Sequence, residues 1–288
     1  MEKRSLGNTG YRIWPVVYGG IVSMDDGQDA SDRYVAMAVD RGVNYFDVAP
    51  SYGDAQEKLG NSLRPYRQRV YLACKTQCRL RDQAQEEFET SLRMLYTDHF
   101  DVYQMHSLST FEDLDQAFGP GGVMEMMLAE QRAGRIRKLG ITAHSEAVAL
   151  KALELYPFDT VLFPLNWGLH LAQGMGGEIS AAAKARGVGL LGMKGLIHRA
   201  WLSDQERASS AYPKSWCKPF SPDQEALAVA ALRYALSLGA DALVPPGNIE
   251  SFSFVLDHIE DCLAQPLSDA DRALLTAELP HIQGHAFF

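Results

Sequence analysis

The chain has 288 residues, with 27 Lys and Arg against 36 Asp and Glu, a net charge of −9, and 47% hydrophobic residues. That apolar share supports a large buried core and excludes wholesale disorder. The acidic balance and the lack of long basic runs exclude a role in binding nucleic acid through its phosphates.

In chain order, the opening Met1-Glu2-Lys3-Arg4-Ser5-Leu6-Gly7 carries no apolar core of a secretory signal. The longest helical apolar stretch, Ala226 to Leu232, stops at Arg233, well short of the roughly 20 residues a membrane span needs. Cys74, Cys78, Cys217 and Cys262 form no C-x-x-C pair, so they read as buried thiols in a reducing compartment. A cytoplasmic protein that engages neither membrane nor nucleic acid is expected.

Arg4 to Trp14 holds Gly7-Asn8-Thr9-Gly10 between apolar flanks and reads as an N-terminal β-hairpin. Eight short, often β-branched apolar runs follow: Val16 to Tyr18, Val43 to Asp47, Val70 to Cys74, Asp101 to Met105, Lys138 to Ile141, Thr160 to Phe163, Val188 to Met193 and Ala242 to Val244. Such continuous runs suit parallel strands buried on both faces. Helical stretches fill the gaps. Ser31 reads as a cap for one that Gly42 closes, and Phe88, Leu92, Leu95 and Tyr96 fall on one helix face. Ser145-Glu146 opens another, the capping box Ser221-Pro222-Asp223-Gln224 opens one running through Tyr234, and Ser268-Asp269-Ala270-Asp271 opens the last, before a tail ending in Phe287-Phe288.

Strict β/α alternation predicts a parallel sheet with right-handed crossovers, and eight units predict closure into a (β/α)8 barrel. No G-x-G-x-x-G follows the first strand, against a dinucleotide fold of the open-sheet kind. With no linker, repeat or low-complexity segment, residues 1–288 read as a single domain, the hairpin plugging the barrel floor.

In such a barrel the working residues stand at the C-terminal ends of strands. There the sequence offers Asp47, Tyr52 five residues on, Lys75 and His106. Taken singly, each has a plain alternative: a turn cap, an amphipathic surface ring, a solvated lysine, a satisfied core histidine. Four ionisable groups converging from three successive strand ends make a stronger pattern.

The segments Asp47-Val48-Ala49-Pro50-Ser51-Tyr52-Gly53, Ala73-Cys74-Lys75-Thr76 and Tyr103-Gln104-Met105-His106-Ser107 resemble those carrying the Asp, Tyr, Lys, His tetrad of the aldo-keto reductase family, in its bacterial type. Leu6-Gly7-Asn8-Thr9-Gly10, Gly134 through Ile141 and the pair Met193-Lys194 extend the likeness over nearly the whole chain. The resemblance implies a (β/α)8 barrel that reduces aldehydes or ketones with a nicotinamide cofactor. Tyr52 would be the general acid, Lys75 would lower its pKa from the ordinary value of about 10, Asp47 would orient Lys75, and His106 would bind the carbonyl oxygen.

Around the cofactor, the positions where the family often carries Ser-Asn and Gln read Thr142-Ala143 and Leu162, and a stacking aromatic is replaced by Met193. His144 and Asn166 are candidates for substitute hydrogen bonds, although Asn166 fits a turn equally well. After the last strand, Pro245-Pro246-Gly247-Asn248-Ile249-Glu250-Ser251-Phe252 opens a helix, and Gly247 and Asn248 are candidates for holding phosphate, with Lys194 as the cation. The family default is NADP. Glu250 and the missing Lys and Arg of this loop lean toward NAD, and NADP versus NAD stays open.

Substrate contacts fall to two loops. One follows His106 with Leu108, Phe111, Phe118 and Gly119-Pro120-Gly121-Gly122. The other, Leu196 to Pro222, opens with His198 and Arg199 and carries Trp201, Tyr212, Trp216 and Phe220. The expected partner is a small carbonyl or alcohol. The alternative readings are a nicotinamide-binding regulatory subunit with little turnover, and a metal-dependent hydrolase, for which His106 and His144 are too few ligands.

Overall fold

The chain starts with a hairpin in which Arg4–Ser5 (β1) pairs antiparallel with Arg12–Ile13 (β2). The structure is a computed structural model that describes residues 2–282. Gly7 sits at φ +46°, and a Cβ there would lie 2.3 Å from the Gly189 nitrogen, so only glycine lets the turn press against the barrel.

Eight parallel strands follow. They are Tyr18–Gly19 (β3), Tyr45–Asp47 (β4), Tyr71–Thr76 (β5), Phe100–Leu108 (β6), Ile136–Ala143 (β7), Thr160–Pro164 (β8), Gly189–Met193 (β9) and, after an excursion of two short strands, Ala242–Val244 (β12). Each pairs with the next. The two edges meet where Val17 N donates to Leu243 O and Leu243 N donates to Pro15 O, both at 2.9 Å. Those bonds close the sheet into a (β/α)8 barrel. The predicted strands all fall on barrel strands, with shifted ends; Val16 makes only an isolated bridge, to Leu243.

Helices wrap the outside: Gln28–Asp40 (α1), Ala55–Leu63 (α2), Arg81–Met94 (α3), Phe111–Phe118 (α4), Val123–Arg132 (α5), Glu146–Leu155 (α6), Trp167–Gln173 (α7) and Gly177–Arg186 (α8). After β9 come Ile197–Arg199 (β10), Asp204–Ala208 (α9) and Lys218–Pro219 (β11), then Glu225–Ser237 (α10), Ile249–Ala264 (α11) and Asp269–Ile282 (α12). Three predicted caps are in place, at Ser145, Ser221 and Ser268, the second acting through a short 3₁₀ turn that precedes α10. Among the described residues no helix is long and apolar enough to cross a membrane.

Four expectations are corrected. Ser31 lies inside α1 and caps nothing, because its hydroxyl is spent on Ser23 and Ser62, both at 2.9 Å. Tyr96 lies beyond α3 at φ +48°, half exposed beneath the Arg64 guanidinium, so the helix face stops at Leu95. Beyond His106 the chain forms α4, opened by a Thr110/Asp113 capping box. The stretch from Leu196 is no structureless loop, since β10 and β11 pair antiparallel at its ends. Phe287 and Phe288 lie outside the described residues.

The barrel interior is layered. Leu6 and Ile13 of the hairpin enter the floor and pack with Val17, Tyr45, Ala73, Val102, Leu162, Leu191 and Ala242. Two residues higher on β4, β5 and β6 the inward positions become Asp47, Lys75 and Gln104, all buried. An apolar floor thus carries a polar layer beneath the mouth.

Candidate active site

Lys75 is completely buried. Its ammonium donates to Asp47 Oδ1, to Tyr52 Oη at 3.3 Å and to Val48 O at 3.4 Å, so its three protons each have an acceptor. Gln104 Nε2 donates to the other carboxylate oxygen, Asp47 Oδ2, at 2.7 Å. The register sets Lys75 beside Gln104, and Asp47 on the neighbouring strand beside Ala73, two residues before Lys75. Gln104 is the residue that sequence reasoning missed. Its only available signal was a place two residues before His106, on the same inward face.

Tyr52 arrives from the turn after β4, its N–H donating to Ala49 O at 3.1 Å. It is 6% exposed, and its ring lies edge-on to His106 at 5.7 Å and to Trp216 at 5.4 Å. Because its oxygen accepts from Lys75, its own proton is free to point elsewhere. His106 is re-aimed by an irregularity in β6 between Met105 and Leu108, where Ser107 adopts φ +56° and donates its N–H to Thr142 Oγ1 at 2.7 Å.

Burial and charge act in opposition here. Burial disfavours the Lys75 ammonium, but Asp47 and Tyr52 outweigh it and hold its pKa above the ordinary value. Burial raises the Tyr52 pKa more than Lys75 lowers it, so the phenol stays protonated. Lys75 acts in the expected direction, but the net shift is upward, because desolvating the phenolate costs more than one shared ammonium returns. Burial, then Lys75, pushes His106 down to about 2, and the ring is neutral. Its Nδ1 is buried with no hydrogen-bond partner among the described residues.

A cavity of about 660 Å³ opens above this layer, lined by Asp47 and Tyr52 together with the apolar Leu162, Met193 and Val244 and by Gly247. Lys194 and Lys214 also line it. Lys194 sits at φ +66°, and burial pushes its ammonium down to about 8. Lys214 donates to Val22 O at 3.1 Å and Met24 O at 2.9 Å and pairs with Asp26 at 2.8 Å, stapling the β10–β11 excursion across the mouth.

The other candidates divide. Trp216 lines the cavity, half exposed. Trp201 does not; its indole donates to Ser215 O at 2.8 Å and braces the same excursion. Phe118 is corrected as a substrate contact, since it packs on Phe158 in the helical layer at 6.3 Å. Asn166 is fully buried as the cap of α7: Oδ1 accepts from Gly168 and Leu169, and Nδ2 donates to Lys194 O and Ile197 O. The structure does not bring it to the cavity, and its amide has nothing left to offer a cofactor. His144 lies off the cavity wall, with Nδ1 3.5 Å from Ser107 Oγ, and burial followed by nearby Lys194 pushes it to about 4. Asn248 caps α11 through Oδ1, which accepts from Ser251 N at 2.7 Å, while its buried Nδ2 has no partner among the described residues. His198 and Arg199 face away from the cofactor question, bound to Glu278 at 2.7 Å and Glu206 at 2.6 Å. No cluster of three or more His, Cys, Asp or Glu poised for a metal ion occurs among the described residues.

Comparison with known proteins gives a consistent result. A sequence model described as the Aldo/keto reductase family matches residues 19–248. The aldo-keto reductase YhdN of Bacillus subtilis is 28% identical over 187 residues, covering 58% of this chain and 54% of that protein; the chain thus spans about half the length of this relative. L-galactose dehydrogenase of Arabidopsis thaliana is 26% identical over 260 residues, covering 83% of this chain and 76% of that protein. Among solved structures, an aldo-keto reductase of Bacillus halodurans in its holo form superposes with a TM-score of 0.72 at 20% identity, covering 96% of each chain, a likeness of fold.

Proposed function

The chain belongs to the aldo/keto reductase family, and from its site we propose that it reduces an aldehyde or ketone to the alcohol, with Tyr52 as proton donor. Members of the family are oxidoreductases that bind nicotinamide cofactors and act on small carbonyl substrates. The residues present fit such a cofactor. The apolar wall of Leu162 and Met193 suits a flat nicotinamide ring. The turn Gly247-Asn248 at the start of α11, with the unpartnered Asn248 amide and Lys194 beside the cavity, suits its phosphates. When bound, the cofactor supplies the hydride.

The chain's own residues handle the proton. Hydride arrival makes the carbonyl oxygen negative, and that oxygen needs a donor. The observation that carries the reading is the Lys75 ammonium held between Asp47 and Tyr52. Lys75 donates to the phenol oxygen, which turns the Tyr52 proton toward the cavity and stabilises the phenolate left behind. His106, neutral, hydrogen-bonds the substrate oxygen and takes no part as an acid. Trp216 covers Tyr52 and limits water. The polar half of the mouth thereby does acid–base work and the apolar half holds the ring.

Tyr52→Phe should lower turnover of an accepted aldehyde by ~10²-fold or more, the scale of losing a positioned acid, with nucleotide affinity unchanged by fluorescence titration. Near wild-type turnover overturns the assignment of Tyr52. Tight nucleotide binding by the unmutated protein, with no turnover of any aldehyde or ketone, would instead make it a cofactor-sensing subunit.

A further inference from the structure

A second cavity, of about 690 Å³, lies on the other side of the turn that joins β12 to α11. Its floor is apolar, with Leu196, Ala228 and Phe254, and the excursion after β9 contributes Tyr212 and Phe220. Two carboxylates, Glu225 from the start of α10 and Glu250 from the first turn of α11, stand on its rim. The two cavities are lined by neighbouring residues of the same segments. Ile197 and Gly247 line the first, while their close neighbours Leu196 and Glu250 line the second. The N-terminus of the 16-residue α11 and the unpartnered Asn248 amide lie between them.

We propose that Glu250 and Glu225, which line this second cavity, select NAD(H) over NADP(H). The inference rests on the reductase reading above, which puts the nicotinamide in the first cavity and the phosphates at the α11 N-terminus. A dinucleotide threaded that way delivers its adenosine ribose to the next space along, where the carboxylates stand.

The charge pattern then decides between the two cofactors. A ribose 2′-hydroxyl can donate to a carboxylate, whereas a 2′-phosphate carries nearly two negative charges and needs an arginine or lysine. Among the described residues no Lys or Arg lines this cavity. Its one basic ring, His258, is stacked on Phe254 at 4.1 Å and faces Glu225 at 3.4 Å, so it is already engaged. Tyr212 adds no cation, and burial together with Glu250 keeps its hydroxyl protonated. A 2′-phosphate here would meet two carboxylates with no compensating charge, while a free ribose diol would meet two acceptors.

The test is a titration of the full-length protein with NADH and with NADPH, followed by tryptophan fluorescence, with displacement by 5′-AMP and by 2′,5′-ADP as probes of the adenosine half alone. NADH should bind about tenfold or more tighter than NADPH, and 5′-AMP should displace it better than 2′,5′-ADP. Glu250→Arg should bring NADPH to within about threefold of NADH or reverse the order, with NADH affinity falling as its ribose diol loses one acceptor. Glu250 is exposed, so the variant keeps its fold. NADPH binding as tightly as NADH, or an unchanged preference in Glu250→Arg, overturns this inference and leaves the reductase reading standing. Failure of both dinucleotides to bind overturns the two together.

Discussion

Lys194 shows how one residue's surroundings set a measurable property. Its backbone is held in the left-handed region, and burial pushes its ammonium from the ordinary 10.5 down to about 8. An anion bound beside it would favour the charged form and raise that pKa again. Above pH 8, nucleotide binding must therefore take up a proton, and affinity should fall with rising pH, by up to about tenfold per unit. Below pH 8 the ammonium is already charged and affinity should be level. Dissociation constants for NADH between pH 6.5 and 9.5 check this; the slope should vanish in Lys194→Met, and a level profile in the unmutated protein removes Lys194 from the phosphate site. At this scale the sequence was legible where chemistry leaves an unusual residue at a strand end, as with Asp47, Lys75 and His106. It was illegible where a residue looks ordinary. Gln104 is a neutral side chain in an apolar run, and only the barrel's register shows it bonded to Asp47. Asn166 and Asn248 both precede helices and both cap them, yet Asn248 keeps a free buried amide and Asn166 does not.

Among the elements, the excursion from β10 to β11 behaves unlike the rest of the barrel. Its composition announced a functional loop, but not its two-stranded base, because two- and three-residue strands leave no periodic signal. Nor could the sequence reveal its anchor, since a lysine that bonds two backbone carbonyls and a carboxylate 188 to 192 residues away reads as solvated. Lys214 joins the excursion to the segment from Val22 to Asp26, and Trp216, two residues on, covers Tyr52. Releasing the anchor should let the cover open. In Lys214→Met the dissociation rate of bound nucleotide, measured by stopped-flow fluorescence, should rise about tenfold. Thermal stability should change little, because the excursion lies outside the barrel sheet. An unchanged dissociation rate would mean that the cover is held by packing alone.

For the whole molecule, the barrel separates stability from chemistry along its axis. The mouth carries buried charge, strained backbone at Ser107 and Lys194, and unpartnered polar atoms at His106, Gln104 and Asn248, all features that cost stability. The floor carries the opposite. Eightfold alternation made the barrel and its closure readable from the sequence, but not the few backbone bonds between Pro15, Val17 and Leu243 that make the seam. The hairpin was readable as an element, and its tie to the far end of the sheet only in three dimensions: Arg4 donates to Ala240 O at 3.1 Å and Gly7 N to Asp241 Oδ2 at 3.0 Å. Leu6 is the plug itself, wholly buried among the floor residues of the strands. Leu6→Ala should therefore cost about 2–5 kcal/mol, as for other large-to-small changes in a packed core, read as a lower urea midpoint at constant slope. The polar layer lies above this floor, with its own anchors in Asp47, Lys75 and Gln104. Turnover per folded molecule should consequently stay within about twofold of the unmutated protein at temperatures where both are folded. A variant equally stable in urea would show that the hairpin only decorates the barrel, and a stable variant with low turnover would show that floor packing reaches the site.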